Sequence, residues 1–230
     1  MELNPGFDGK VSVGPIAATA GGGAVAEISL LTDKVTDISP VRALTGLKTL
    51  SCMGTWDSKA KLADLSPLQG LPLTRLDCRR NEVPDLSPLK GMQLTYFVCC
   101  GSDVSDLSPL QGMPLTEFNC GATNVADLSP LQGMKLTMVH CDLSPVADLS
   151  PLRGMPLVEL ACDHTSVSDL SPLAGMSLKG LSFTPAKITK GIDVIRQMKS
   201  LEKLGLTWDS GQWLSPADFW KKYDAGEFGK

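Results

Sequence analysis

Aromatic residues are scarce: Phe, Trp and Tyr together make up 5% of the 230 residues. A core with so few rings has to be filled by Leu, Val, Met and Cys, side chains that suit thin repeated layers. Histidine occurs twice, and no nucleophile–base pair is discernible, so nothing points to an enzyme. Basic runs stop at dipeptides (Arg79-Arg80, Lys221-Lys222) in a chain of net charge −4, which argues against nucleic acid as a partner. No apolar stretch approaches the roughly 20 residues of a membrane span. Met1-Glu2-Leu3-Asn4-Pro5 has neither the basic nor the apolar segment of a secretory signal. The expectation is a cytoplasmic, monomeric protein with no membrane partner.

Repetition is what the sequence has in abundance. Asp-Leu-Ser-Pro-Leu begins at Asp64, Asp85, Asp106, Asp127, Asp148 and Asp169, always 21 residues apart. Degenerate copies flank the series at Asp37-Ile38-Ser39-Pro40-Val41 and Lys190-Gly191-Ile192. Between copies runs Leu-x-x-Leu-x-Cys-x-x-(Asn/Ser/Thr)-x-Val, as in Leu73, Leu76, Cys78, Asn81 and Val83. Leu76 and Cys78 alternate with Arg75, Asp77 and Arg79, the period of two that marks a strand with one buried face. The same position recurs at Ile28, Leu50, Phe97, Phe118, Val139, Leu160, Leu181 and Leu204, predicting nine short parallel strands. On the return side Ser66 precedes Pro67, and Gly70 follows at once. Ser as N-cap and Pro as first helical residue leave room for a single turn, so that side should be 3-10 or irregular.

These motifs resemble the leucine-rich-repeat family, and the Asp-Leu-Ser-Pro-Leu half resembles its short bacterial, internalin-like subtype. The resemblance covers residues 25–208 and implies an α/β repeat solenoid, a horseshoe or arc with a parallel β-sheet on its concave face. A solenoid needs caps. Residues 1–24 read as an N-terminal β cap, with a hairpin running from Phe7 through Lys10-Val11-Ser12-Val13 and Gly21-Gly22-Gly23 to Val25. Residues 209–230 read as a C-terminal helical cap beginning at Ser215-Pro216-Ala217-Asp218. Six of the twelve aromatic residues lie beyond residue 205, which fits a helix over the last repeat. This tail also resembles the ends of repeat-bearing bacterial serine/threonine kinase-associated proteins.

One turn breaks the period. Leu50 and Leu76 are 26 residues apart, and the excess falls between Gly54 and Lys61. Insertions in repeat proteins map to loops, so this segment, with Trp56, is expected to protrude near the concave rim.

Six of the seven cysteines (Cys52, Cys78, Cys99, Cys120, Cys141 and Cys162) share one inward repeat position. They read as a column of packed free thiols, poorly aimed for disulfides, and imply a reducing compartment. Cys100 follows Cys99 directly, so it should point outward and be the reactive thiol. A metal site would have to draw on Cys100, His140, Asp142, Asp163 and His164, but no C-x-x-C pair or zinc-like histidine spacing is present. No metal or cofactor is expected. The repeating aspartates read as caps for local backbone N–H groups rather than as a calcium ladder, which would need a glycine-rich nonapeptide. His140-Cys141-Asp142-Leu143 mimics a kinase catalytic loop and Gly21-Gly22-Gly23-Ala24-Val25 a phosphate loop. Neither has the companion residues that such motifs need.

Function is therefore expected on the outward strand positions. Arg75, Asp77, Arg79 and Arg80 make one turn basic, Tyr96 follows as a central anchor, and Glu117, Asn119, His140, Asp142 and Asp163 make later turns acidic and polar. Beyond them the face turns small and neutral. A bipolar strip of this kind suits a protein partner, because charge complementarity sets register and on-rate. The expected function is a non-catalytic protein–protein interaction module; a structural spacer of a larger bacterial signalling protein is the alternative.

Overall fold

The inward residues of each turn, exemplified by Leu73, Leu76, Cys78, Val83, Leu86 and Leu89, are at most 1% exposed. Burying each such Leu stabilises the fold by about 1.5–3 kcal/mol, so every turn contributes to the core. The structure is a computed structural model that describes residues 4, 10–13, 16–17, 24–56, 59–208 and 211–229. They fall into two compact units, Met1–Leu115 and Thr116–Lys230.

In the N-terminal unit, strands β1 (Val11–Val13), β4 (Glu27–Leu31), β5 (Thr49–Met53), β6 (Arg75–Asp77) and β7 (Tyr96–Val98) lie side by side in that order, while β2 (Ile16–Ala17) and β3 (Ala24–Val25) form a separate pair. Ile28, Leu50, Leu76 and Phe97 are in parallel register, the residues the period of two selects. β1 runs antiparallel to β4, and β2 antiparallel to β3. Residues 5–9, 14–15 and 18–23, including Phe7 and the glycine run, lie outside the described part.

In the C-terminal unit, β8 (Glu117–Asn119), β9 (Met138–His140), β10 (Glu159–Ala161), β11 (Gly180–Ser182) and β12 (Lys203–Gly205) follow in sequence order. Phe118, Val139, Leu160, Leu181 and Leu204 are in register. A short helix α1 (Ile192–Arg196) replaces the last 3-10 turn, and α2 (Pro216–Asp224) closes the end. Phe219 of α2 is fully buried, its ring 5.5 Å from that of Phe183. Arg196 pins α2 from outside, over Trp220 at 4.6 Å and paired with Asp224 at 2.6 Å.

The return side of each regular repeat is a 3-10 turn such as Ser66–Leu68 or Ser87–Leu89. One detail corrects the sequence reading: Ser66 is the first residue of the turn, not its cap. The aspartate two residues earlier does the capping. Asp64 Oδ1 accepts the Ser66 N–H at 2.7 Å, and Asp64 Oδ2 accepts the Ser66 hydroxyl at 2.8 Å. A carboxylate reaches the N–H two residues on more readily than a hydroxyl does. The bonds hold Asp85, Asp127, Asp148 and Asp169 below the usual carboxylate range, Asp169 at about 2 with added help from Lys190.

The Asn/Ser/Thr position of the repeat turns inward and satisfies strand-end carbonyls. Asn81 donates to the carbonyls of Cys52, Cys78 and Arg79 and accepts from Thr32 Oγ1 at 2.7 Å. Ser102, Thr123, Ser144 and Thr165 each bond the carbonyl three residues back.

Candidate functional site

Strand β6 and the turn after it set three arginines on the outward side of the N-terminal unit, each held differently. Arg75 is exposed and its guanidinium carbon lies 3.9 Å from the centre of the Tyr96 ring, one strand away. Arg79 folds back on Asp77, with Nε 2.9 Å from both carboxylate oxygens and Nη2 2.5 Å from Oδ2. These hydrogen bonds, more than the Coulomb attraction, push the Arg79 pKa up, while burial opposes them. Arg80 takes a left-handed conformation, φ 58°, and lies 3.5 Å from the centre of the Trp56 ring.

The insertion explains where Trp56 sits. Gly54 N–H bonds the Arg79 carbonyl at 3.0 Å and Ala60 N–H bonds the Arg80 carbonyl at 2.9 Å, so both ends of the excursion are pinned to adjacent residues of the next turn. A Cβ on Gly54 would lie 2.4 Å from the Arg80 carbonyl oxygen, which restricts this position to glycine. Between the pins, Asp57 and Ser58 lie outside the described part. Trp56 is left 73% exposed with one cation on its ring.

The C-terminal unit uses its outward positions in another way. After β12 the chain doubles back through an antiparallel bridge between Leu204 and Leu214, with reciprocal N–H to carbonyl bonds of 3.0 and 2.9 Å. This brings Trp208 over His140, ring centres 4.1 Å apart, and Trp213 edge-on to Trp208 at 4.7 Å. Lys203 sits 4.9 and 4.8 Å from the two indole rings and pairs with Glu159 at 2.9 Å. The small neutral residues of the last strands make room for this. A Cβ on Gly205 would be 3.0 Å from Trp213, and one on Gly180 would be 2.6 Å from Lys203 Cε.

The structure therefore divides the predicted surface residues. Arg75, Arg79, Arg80 and Tyr96 are accessible or half-buried, as are Glu117, Asn119 and Asp142. Asp77, His140 and Asp163 are buried instead, at 8%, 6% and 2% exposure, which corrects their placement on a solvated strip. Asp77 is enclosed by Arg79, and His140 is covered by Trp208. Asp163 is tied to Ser182 Oγ at 2.5 Å and to His164 Nδ1 at 3.1 Å. Outward alternation alone could not reveal a covering by residues far along the chain. The only sequence signal for it was the aromatic density beyond residue 205.

The thiols offer no obvious chemistry in the core. All six cysteines of the column are buried and free, while Cys100 is half-buried. Burial raises the thiol of Cys52 to about 12, helped by the charge of Asp77, and it pushes Cys78, Cys99, Cys141 and Cys162 well above their ordinary value. Among the described residues, no three His, Cys, Asp or Glu side chains converge as metal ligands. No helix among them is long and apolar enough to cross a membrane.

No protein-family model and no curated protein matches the sequence. Solved structures do. An internalin (inlF) from Listeria monocytogenes is similar with a TM-score of 0.72 at 27% identity, over 82% of this chain and 58% of that one. An internalin C2 (inlC2) from the same organism is similar at 0.69 and 24% identity, over 78% of this chain and 80% of that one. The functional domain of InlJ from L. monocytogenes, described as including a cysteine ladder, is similar at 0.54 and 22% identity, over 79% of this chain and 43% of that one. The chain thus spans less than two thirds of the inlF and InlJ structures. It has the leucine-rich-repeat fold, with parallel strands and 3-10 turns of the internalin kind.

Proposed function

We propose that this leucine-rich-repeat chain is a non-catalytic protein-interaction module that engages its partner through the outward strand face of the N-terminal unit. The likeness to internalins supports an interaction module in general. The finer reading rests on one observation: Arg75 over Tyr96 and Arg80 over an exposed Trp56. Trp, Tyr and Arg dominate binding hot spots, and side chains already held against each other lose less entropy on docking. Arg75, Arg79, Arg80 and Tyr96 are assigned the contact, and Asp77 the task of fixing Arg79. Glu117, Asn119 and Asp142 offer a polar surface on the C-terminal unit, where His140 and Asp163 are structural. Seven free thiols favour a reducing, cytoplasmic setting.

The test is an affinity capture comparing wild type with an Arg75→Glu, Arg80→Glu, Tyr96→Ala variant. Arg79 is left in place because removing it would strand the buried Asp77 carboxylate. A protein held by the wild type and lost by the variant, at unchanged thermal stability, is the expected result. Identical catches would sink the assignment of this face, and no catch from either would favour a spacer.

A further inference from the structure

Three carboxylates of the turns around β6, Asp77, Glu82 and Asp103, already have cations of their own. Arg79 clasps Asp77, Lys61 pairs with Glu82 at 2.6 Å and Lys59 with Asp103 at 2.5 Å. Arg75 and Arg80 differ: among the described residues neither forms an ion pair, and each guanidinium lies over a ring instead. A guanidinium stacked on a ring keeps its in-plane N–H donors for a planar anion. Arg80 directs one of its nitrogens at the Trp56 carbonyl, at 3.4 Å, which further fixes its position. Desolvating such a pre-positioned cation is most readily offset by a carboxylate, with which it forms short, forked hydrogen bonds.

Spacing narrows the ligand further. Arg75 and Arg80 are five residues apart along the chain, so their backbones are separated by at most roughly 17 Å. An extended peptide of about six residues covers that span. Trp56, 73% exposed, offers apolar surface beside Arg80. Two uncompensated arginines in a chain of net charge −4 are too short a track for a nucleic-acid backbone, which needs a continuous basic groove.

We propose that this surface takes an extended acidic segment of a protein partner, with carboxylates some four to six residues apart on Arg75 and Arg80 and an apolar side chain against Trp56. The proposal rests on the interaction-module reading and gives its partner a chemistry. Three labelled probes distinguish it from its rivals when titrated by fluorescence anisotropy against the full chain at low and moderate salt. They are an Asp/Glu decapeptide with a central Leu, its Asn/Gln counterpart, and a single-stranded decanucleotide.

The acidic peptide should bind, with Arg75→Gln and Arg80→Gln each weakening it about tenfold. Trp56→Ala should weaken it less, and Lys221→Gln with Lys222→Gln on α2 not at all. Equal binding of the neutral peptide, tighter binding of the oligonucleotide, or indifference to both arginine changes would overturn the proposal. So would self-association of the chain through this face with no peptide binding. If the acidic peptide fails while the capture experiment still yields a partner sensitive to Arg75, Arg80 and Tyr96, the acidic-segment proposal falls and the interaction module stands. If both fail, both fall.

Discussion

Trp56 and Trp208 each meet an outward-facing residue of a strand turn, with opposite results. Trp56 in the N-terminal unit stays 73% exposed and steadies Arg80. Trp208 in the C-terminal unit, itself packed against Trp213 and Lys203, lies 4.1 Å from His140, which is only 6% exposed. The repeats beneath are near copies, so they are not the source of the contrast. A five-residue insertion adds an aromatic beside one face, and a tail that doubles back lays two aromatics across the other. Whether a repeat face remains available to a partner is thus decided by segments that do not belong to the repeat.

The contrast can be broken most severely at the C-terminal cap. Phe219→Ala should destabilise the chain by about 3–5 kcal/mol, because it opens a cavity against Phe183, whereas Trp56→Ala should stay within about 0.5 kcal/mol of wild type. Urea denaturation of both measures the difference, and equal losses would mean that Trp56 supports the fold as Phe219 does. A second comparison concerns the inward polar position. Asn81→Ala should cost about 2–3 kcal/mol because it strands several buried carbonyls, while Thr123→Ala, which frees one, should cost about 1 kcal/mol. If the two cost the same, Asn81 is no more than another hydroxyl-like cap.

The smallest effect tests the left-handed residues that end the strand turns. Leu143, at φ 56° and 55% exposed, should tolerate glycine with a gain of up to about 1 kcal/mol, since only glycine adopts this conformation without strain. Arg80→Gly relieves the same strain but gives up the contact with Trp56, so its thermal midpoint should move less than that of Leu143→Gly. A larger gain at position 80 would show that the stacking contributes nothing to stability.

Much of the fold was legible without coordinates. The strand centres from Ile28 to Leu204, the 3-10 return turns, the thiol column and the aromatic helix at the end all follow from residue spacing, because a strand buries every second side chain wherever it stands. The Asp-Leu-Ser-Pro-Leu turn was legible as a turn and its aspartate as a cap of local N–H groups, but Ser66, read as the N-cap, is the first residue of the turn. The candidate site was half legible. Alternation put Arg75, Arg79 and Tyr96 on the outward side, whereas Arg80 is out of phase with it and its pairing with Trp56 needed the insertion's two backbone pins.

By itself, then, the sequence determined the period, the inward and outward sides and the chemistry available on each, since these are local consequences of spacing. The tertiary structure decided which outward residues stay available. Enclosure of Asp77 depends on how Arg79 folds over it, that of Asp163 on Ser182 and His164, and the covering of His140 on where the chain past Leu204 returns, and no local period records that.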